Sequence, residues 1–379
     1  MPAAHPFVTV TVDESELQRP AQRSPGVVAV VGVSTGGELL ENKPQRIANE
    51  GELDALLGDS PLRRSIETVF RQRRRPDTVY AVRVGDASSY VGGLESIEAI
   101  DDITGVCLAE ETSVSALDRL RDHVEGASSQ GNRRLGYAMV PSEILTRGET
   151  YVADVAAALE DQTADPPKRV KSSLSRMVVV AARGGSGDAA AATMSTVHGH
   201  PPHVSPLLKP VSQVTIPTEH QLTSSEIASL SEAGIVPIID PQLMPGTGLH
   251  LAEARVYGDG TSKLAYVDEV RTLDDIEFRL RAGLLGTVGD ARITRAGLTR
   301  IKNRVEGILA LRVREGAITE YAVHIPVLDA LAVENREPGD ANTEMIEQAR
   351  STRSVGVRVH IVYGPAVHRL EVTLAVKAV

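Results

Sequence analysis

The stretch Val27-Val28-Ala29-Val30-Val31-Gly32-Val33 is an unbroken apolar run bounded by Pro25-Gly26 and Gly36-Gly37. Valine dominates the run, and β-branched side chains favour an extended backbone. Apolar runs without polar alternation are typical of strands that are buried on both faces, as in parallel sheets covered by helices. The stretch therefore predicts a central strand of an α/β sheet.

Helical and extended patterns alternate along the chain after this run. Apolar residues spaced for one helix face predict helices at residues 61–75, 113–125, 151–159 and 189–196. Runs rich in β-branched residues predict strands at residues 78–84, 104–109, 135–140 and 177–182. Such alternation of strands and helices is typical of a largely parallel sheet.

The pattern changes from about residue 215 onwards. We expect helices at 226–233, 273–285, 294–315 and 341–349, strands at 235–239, 249–256 and 354–363, and an acidic loop at 329–339. These segments predict a mixed C-terminal domain, so the expected fold class is α/β and α+β. The expected boundaries are an N-terminal arm and linker at 1–25, an α/β domain at 26–214, a C-terminal domain at 215–363 and a C-terminal arm at 364–379.

Both ends of the chain carry a short stretch with strand-like alternation. Near the N-terminus, the apolar positions are Phe7, Val8, Val10 and Val12, and a polar, proline-containing linker follows them. At the C-terminus, the apolar positions are Leu370, Val372, Leu374 and Val376. A terminal strand needs a partner strand to remain ordered. These residues leave open whether the partner lies in the same molecule or in a neighbour.

The composition of the chain narrows the classes of function. The 379 residues carry a formal net charge of −10, with 3 Phe and no Trp, which argues against a general nucleic-acid binder. The single cysteine, Cys107, excludes an intramolecular disulfide and is expected to be a buried small apolar residue. We find no signal-peptide pattern and no apolar run long enough to span a membrane. We therefore expect a soluble protein that is made in the cytoplasm and does not insert into membranes.

Three short motifs are candidate sites of chemistry. Gly32-Val33-Ser34-Thr35-Gly36 fits the pattern of a nucleophile elbow with Ser34 as nucleophile, but no clear helix follows it, and a simple turn is the favoured interpretation. His198, His200 and His203 could hold a metal, although an exposed polar loop is favoured because no acidic residue follows nearby. The stretch 184–188 could cradle a phosphate but lacks the full glycine pattern, so a strand-to-helix turn is favoured. The sequence predicts no catalytic site, metal or cofactor.

Four stretches of the chain resemble the contractile tail sheath proteins of phages, R-type bacteriocins and related injection systems. They are the strand Gly26-Val27-Val28-Ala29-Val30-Val31-Gly32, the strand Val79-Tyr80-Ala81-Val82-Arg83-Val84, the region from Glu219 through Ala233-Gly234-Ile235-Val236-Pro237-Ile238, and Arg314-Glu315-Gly316-Ala317-Ile318. Their order and spacing match the family over nearly the whole chain. The chain is at the small end for the family and lacks the extra domains that some sheaths carry.

The resemblance implies a structural role in a contractile machine. Sheath subunits of this family form hexameric rings, which stack helically around an inner tube from a baseplate and contract to drive the tube into a target. Terminal strands of one subunit complete sheets in its neighbours, so the resemblance assigns that role to the two terminal stretches, with Val355, Val357, Val359 and Ile361 in the receiving sheet. Other expected partners are the baseplate and tail terminator proteins.

Two further expectations complete this interpretation. The basic residues Arg295, Arg300, Lys302 and Arg304 are expected to face an acidic tube protein. The protein would be assembled in the cytoplasm of the producing cell and then belong to a virion tail or an injection particle. Two alternatives are an α/β hydrolase-like enzyme that uses Ser34, and a filament or surface-layer protein that exchanges terminal strands without contracting.

Overall fold

The computed structural model describes residues 26–241, 243–244, 248–333 and 340–369. The predicted terminal strands at residues 7–12 and 370–379 lie outside these residues. The described strands are β1 (Val27–Val33), β2 (Gln45–Ile47), β3 (Thr78–Val84), β4 (Gly105–Leu108), β5 (Leu135–Met139), β6 (Glu160–Asp161), β7 (Lys168–Arg169), β8 (Met177–Ala181), β9 (Ile235–Ile239), β10 (His250–Leu251), β11 (Glu320–His324) and β12 (Arg358–Val362). The described helices are α1 (Leu53–Leu57), α2 (Pro61–Phe70), α3 (Tyr90–Glu95), α4 (Val114–Ser129), α5 (Glu149–Ala158), α6 (Ala189–His198), α7 (Ser224–Glu232), α8 (Val267–Leu285), α9 (Arg295–Arg314), α10 (Pro326–Ala332) and α11 (Ala341–Thr352).

The main sheet has eight strands in the order β10-β9-β8-β5-β4-β1-β3-β2. The six inner strands run parallel to one another, and the two edge strands are antiparallel to their neighbours. Strand β1 lies between β3 and β4, where Val30 is in register with Ala81 on one side and Cys107 on the other. The central, doubly buried strand predicted from the valine-rich run is confirmed.

Helices cover both faces of this sheet and create two cores. One core contains Val28 and Val30 of β1 together with side chains of α2 and α6. The other contains Val27, Ala29 and Val31 with side chains of α3, α4, α5 and α7. Because adjacent residues of a strand point to opposite faces, the run has to be apolar throughout.

The glycine inside the run, Gly32, allows a close approach between elements. A Cβ atom at this position would lie 2.4 Å from Cβ of Ala109 and 3.0 Å from Cβ of Leu62. Only a residue without a side chain leaves room for α2 to pack here against the strand.

Several predicted boundaries differ from the structure. Helix α2 ends at Phe70 rather than residue 75, because the side-chain amide of Gln72 donates to the carbonyl of Thr68, 3.0 Å away. The strand predicted at 249–256 is confined to His250–Leu251, because Val256 and Tyr257 donate backbone hydrogen bonds to Ala265 and Met177 instead. The acidic segment predicted as a loop at 329–339 lies partly in helix α10.

The described chain divides into two compact units. The first unit comprises residues 26–276, 312–321 and 361–369, and the second comprises residues 277–311, 322–333 and 340–360. The expected boundary at 214 and 215 falls inside the first unit, because β9 pairs in parallel with β8, as between Val179 and Ile235. The first unit thus includes strands that were expected in the C-terminal domain.

The second unit has its own small core. Its buried members are Leu298, Ile325, Val327, Ala330, Ile346 and Ala349. Two smaller sheets accompany the main one: β11 pairs with β12, and β6 pairs with β7. Among the described residues, no helix combines the length and apolar character needed to cross a membrane.

Candidate functional site: assembly surfaces

Ser34, the candidate nucleophile, is a buried structural residue. Its Oγ lies 2.7 Å from the carbonyl oxygen of Leu57 and 2.9 Å from that of Gly36, and it is fully shielded from solvent. The residues that follow it form bends rather than a helix. A nucleophile elbow needs an exposed serine on a strand-to-helix turn with a histidine in reach. The hydrolase alternative that uses Ser34 is therefore wrong.

The three histidines do not form a metal site. His198 is buried at the end of α6, where its Nδ1 lies 2.9 Å from Thr104 Oγ1 and its Nε2 lies 3.0 Å from Tyr137 Oη. His200 donates from Nδ1 to the carbonyl of Thr196 at 2.8 Å. In the part of the chain that the structure describes, no group of three or more potential ligands could hold a metal ion. The exposed polar loop expected for this motif is also wrong for His198, because α6 continues to it and carries it into the core.

The turn at residues 184–188 is filled by a carboxylate of the chain itself. Asp188 caps α6 and accepts hydrogen bonds from the backbone N–H of Ala191 at 2.9 Å, from Ser65 Oγ at 2.6 Å and from the backbone N–H of Glu110 at 3.0 Å. Burial raises the pKa of Asp188, although these hydrogen bonds oppose the effect. The donors at this helix N-terminus are thus used internally, which supports the strand-to-helix turn over a phosphate site.

Cys107 is buried in β4, as predicted from its apolar surroundings. Burial raises the pKa of its thiol well above the usual value. A thiol in this state is a poor nucleophile.

The carboxyl ends of the parallel strands carry a buried ion pair that the sequence did not reveal. Arg183 follows β8, and its Nη1 lies 2.6 Å from Oε1 of Glu226, a capping-box residue of α7. Arg183 also donates to the carbonyls of Thr146, His220 and Gln221. Open α/β sheets bind ligands at this end of the strands. Here the charged groups of Arg183 and Glu226 satisfy one another.

Burial and hydrogen bonding have opposite effects on the pKa of Glu226. Burial disfavours the charged form of Glu226, but hydrogen bonds from Arg183, Thr223 and Gly148 outweigh burial and lower its pKa to about 2. The guanidinium of Arg183 also stacks on the ring of Tyr151, 4.9 Å from the centroid. The pair therefore ties the loops after β5 and before α7 to the end of β8.

The residues predicted to receive a partner strand lie on one side of an extended segment. Val355, Val357, Val359 and Ile361 are partly buried, and the residues between them are exposed. Val355 and Val357 precede β12 and pack against the core of the second unit, while Val359 and Ile361 lie within β12. As far as the structure describes the chain, β12 pairs only with β11. Among the described residues, no third strand pairs with this short sheet.

The four basic residues expected to face a tube do not share one helix face. They lie on α9, a continuous helix in which each residue turns by about 100°. By this geometry Arg295 and Lys302 point in nearly the same direction, and Arg300 and Arg304 point roughly to the opposite side. Lys302 pairs with Glu306 at 3.9 Å, and Arg304 Nε donates to the carbonyl of Gly283 at 2.5 Å.

The segment that leads to the predicted C-terminal strand is fixed to the first unit at two points. The hydroxyl of Tyr363 donates to the carboxylate of Asp268. The ring of His368 lies 2.9 Å from Ser205 Oγ through Nε2 and 3.7 Å from Glu253 through Nδ1, and it packs edge-on against Tyr266. Hydrogen bonding to Asp268 and burial raise the pKa of the Tyr363 hydroxyl, with burial the larger cause. The root of the C-terminal arm thus has a defined position.

The architecture is an α/β fold in which Ser34, His198, Asp188 and Arg183 are used in internal contacts, and the same fold is found in solved structures. No family model matches the chain, and no curated protein matches it significantly in sequence. The chain is similar to the sheath of PVC, an extracellular contractile injection system, in the contracted state: the TM-score is 0.71 at 14% identity, and 99% of this chain and 98% of that chain are covered.

Two further solved structures have the same fold. The helical sheath of the anti-feeding prophage in the contracted state matches with a TM-score of 0.64 at 14% identity, covering 98% of this chain and 99% of that chain. A sheath tail protein from Desulfitobacterium hafniense matches with a TM-score of 0.56 at 10% identity, covering 84% of this chain and 93% of that chain. These neighbours are structural sheath proteins rather than enzymes, and this chain shares their fold.

Proposed function

We propose that this protein is the sheath subunit of a contractile tail or injection machine. The observation that carries the proposal is the match to contractile sheaths over 98–99% of the chain, which includes both compact units. The burial of Ser34 and the internal use of Asp188 and Arg183 support a structural role, because these candidate groups are engaged by other residues of the chain.

In this proposal, subunits form hexameric rings that stack helically around an inner tube, between a baseplate and a tail terminator. Contraction to a wider and shorter lattice drives the tube through a target envelope. The protein is assembled in the cytoplasm of the producing cell and then acts in the finished virion or injection particle.

Neighbouring subunits are joined by their terminal strands. The β11–β12 sheet supports this proposal, because it has only two strands among the described residues and an added strand would pair with the backbone groups of its edge. The apolar positions Leu370, Val372, Leu374 and Val376 of one subunit, and Phe7, Val8, Val10 and Val12 of another, would then extend the side already formed by Val355, Val357, Val359 and Ile361. Repeated contacts of this head-to-tail kind produce an open helical assembly.

Electron microscopy of the purified protein, alone and with its tube protein, tests the function. We expect hollow, grooved tubes. Smooth filaments that do not shorten would favour the non-contractile alternative, and discrete particles under all conditions would contradict the proposal.

Substitutions on the two sides of the C-terminal stretch test strand exchange. Serine at Leu370, Val372, Leu374 and Val376 should abolish tubes, because these side chains supply the apolar burial. The matched control places serine at Glu371, Thr373 and Lys377, which alternate with them, and should leave tubes intact. Tubes that persist in the apolar variant, or after deletion of residues 368–379, would refute strand exchange.

The basic residues of α9 are proposed to bind the tube through one of two surfaces. Because Arg295 and Lys302 lie roughly opposite Arg300 and Arg304, a single tube can contact only one pair directly. Arg295→Glu/Lys302→Glu and Arg300→Glu/Arg304→Glu therefore control for each other in co-sedimentation with tube. One variant should lose salt-sensitive binding while the other keeps it. Unchanged binding in both variants would remove α9 from the tube interface.

A further inference from the structure

A basic pocket of the first unit lies between the turn after α2 and the end of α6. It has a volume of about 300 Å³ and is lined by Arg73, Arg74, Thr196, His200 and Pro210. We call it the α2–α6 pocket. Among the described residues, neither Arg73 nor Arg74 has a carboxylate within ion-pair distance, and both side chains are exposed. The two guanidinium groups are therefore available to a partner.

The α2–α6 pocket carries an excess of positive charge. Lys209, next to Pro210, has no ion pair with a described residue and adds a third cation. Burial lowers the pKa of His200, and the nearby charges of Arg74 and Lys209 act in the same direction, so His200 adds no charge at neutral pH. Because the C-terminal ends of α2 and α6 contribute about half a negative charge each, about two positive charges remain uncompensated.

The turn that carries the two arginines is held in place by the fold. The buried side chain of Gln72 donates to the carbonyls of Thr68 at 3.0 Å and Ser212 at 2.8 Å, and it accepts from the backbone N–H of Ser212 at 2.8 Å. On the other side, Gly199 allows a close approach, since a Cβ atom there would lie 2.5 Å from the carbonyl carbon of Arg74. A fixed backbone reduces the conformational freedom that is lost when a partner binds.

A second anchored turn, at the end of α3, carries the opposite charge. Glu95 and Glu98 are exposed, and neither has an ion pair in the part of the chain that the structure describes. The backbone N–H of Glu98 donates to the carbonyl of Glu95 at 3.1 Å, so the two residues lie one tight turn apart on the same side. Leu94 and Ile97, which precede them, are buried in the core. We call this segment the acidic turn.

The α4 residues across a groove from the acidic turn carry no net charge. Arg119, Asp122 and His123 line this groove together with the acidic turn. Arg121 pairs with Asp118 at 2.8 Å and with Asp122 at 2.5 Å. Burial lowers the pKa of His123 to about 3, so its ring is neutral. The arginines and aspartates of α4 cancel in charge, and the two carboxylates of the acidic turn remain uncompensated.

The α2–α6 pocket and the acidic turn lie on opposite faces of the main sheet. Helices α2 and α6 pack on the face of Val28 and Val30, whereas α3 and α4 pack on the face of Ala29 and Val31. The two charged surfaces therefore cannot meet within one subunit, although they match in sign and number. A contact between two copies would join different surfaces and leave one pocket and one turn free, so it can repeat.

We propose that the α2–α6 pocket binds the acidic turn of a second copy of this chain, with Arg73 and Arg74 against Glu95 and Glu98. The contact is head-to-tail and uses only the first unit of each subunit. Charged groups at such contacts fix partner and register more than affinity, so this one gives the assembly a direction. Its place in a sheath lattice rests on the proposed function, whereas the pairing of two copies does not.

Charge reversal followed by mixing tests the contact in the full chain. Arg73→Glu/Arg74→Glu and Glu95→Lys/Glu98→Lys should each raise the protein concentration needed for assembly at least about tenfold, because like charges then face one another. An equimolar mixture of the two variants should recover assembly, since each reversed surface meets its complement on the other variant. Light scattering at low salt measures this concentration.

The matched control for charge reversal is Glu344→Lys/Glu347→Lys on α11. These two residues have the same spacing, are exposed and form no ion pair with any described residue. The concentration needed for assembly should stay within about twofold of the native value. Unchanged assembly in both variants of the contact would overturn the proposal. So would a mixture as weak as its components, because the pocket would then serve a different partner.

Cross-linking separates this contact from the sheath function. Arg73→Cys and Glu98→Cys proteins, mixed below the concentration at which tubes form, should give a mixed disulfide dimer much faster than Arg73→Cys with Glu347→Cys. The reason is that a disulfide needs Cα atoms within about 7 Å of each other. The native Cys107 is buried and should not compete. Equal rates would overturn the contact even if tubes form. Selective cross-linking in a protein that never forms tubes would support the contact and contradict the sheath function.

Discussion

Removing one partner of the buried Arg183–Glu226 pair should destabilise the first unit strongly. In Glu226→Ala the guanidinium of Arg183, whose side chain is 2% exposed, loses its counter-ion and keeps only carbonyl acceptors. The backbone N–H groups of Gly148 and Thr223 lose their acceptor as well. Breaking a buried pair in this way costs about 3–5 kcal/mol. For a unit of this size we expect the unfolding temperature to fall by roughly 6–20 °C.

The exposed pair Arg64–Glu110 provides a matched control. Its atoms approach to 2.7 Å, almost as close as in the buried pair, but the side chains are 47% and 30% exposed. Glu110→Ala should therefore cost only about 0.2–1 kcal/mol. Arg183→Met/Glu226→Leu, which removes both charges, should recover a large part of the loss. Urea unfolding, monitored by far-UV circular dichroism, measures the stability of all three variants. Circular dichroism is the signal because the chain has no Trp for fluorescence.

The pH dependence of stability, compared between the native protein and Glu226→Ala, gives a second value for the free energy that the Glu226 carboxylate contributes. The pKa of Glu226 falls from an ordinary value of 4.5 to about 2 in the folded protein. A depressed carboxylate pKa contributes stability that is fully present above pH 4.5 and is lost as the pH falls toward 2. The contribution is on the order of 3 kcal/mol. A Glu226→Ala protein within 1 kcal/mol of Glu110→Ala at neutral pH would refute the reasoning.

Three further predictions concern the packing inside each of the two units. Gly32→Ala should cost about 1–3 kcal/mol, because its Cβ would overlap that of Ala109; an unchanged urea midpoint would contradict the close approach. Burial lowers the pKa of His123 to about 3, so stability should fall as the pH drops below about 6.5, by up to about 1.4 kcal/mol per unit, and His123→Gln should flatten this slope in urea titrations. Leu298→Ala should cost about 2–5 kcal/mol and speed amide exchange in the second unit; protection lost only in the first unit would contradict the assigned core.

The central sheet was predictable because its signal is local. The valine run at residues 27–33 and the strands at 78–84 and 177–181 are rich in β-branched residues, and a glycine lies within three residues after each of them. The edge strand β2 was missed because three residues, two of them exposed, carry no usable pattern. Strand β11 was missed for a similar reason, since only Val323 of its five residues is buried.

The contacts at the candidate sites were harder to predict because the residues that meet there are far apart in the sequence. Arg183 and Glu226 are 43 residues apart, and no spacing rule joins a residue after one strand to a helix cap. His198 was expected in an exposed loop because its neighbours are polar and proline-rich, yet the alanine-rich α6 extends to it and buries it. The basic residues of α9 form a cluster in the sequence, and helix geometry separates them.

The root of the C-terminal arm shows how these distant contacts constrain function. His368 contacts Ser205, a residue 163 positions earlier, and only Arg369 separates it from the first apolar position of the predicted strand, Leu370. One residue spans at most about 3.6 Å, so a strand that begins at Leu370 must find its partner close to this anchor. A longer reach requires His368 to leave Ser205 and Tyr266. If the arm links subunits while their lattice rearranges, the release of His368 from Ser205 and Tyr266 lengthens the free part of the arm. The arm is then held at Tyr363, because the hydroxyl of Tyr363 still donates to Asp268.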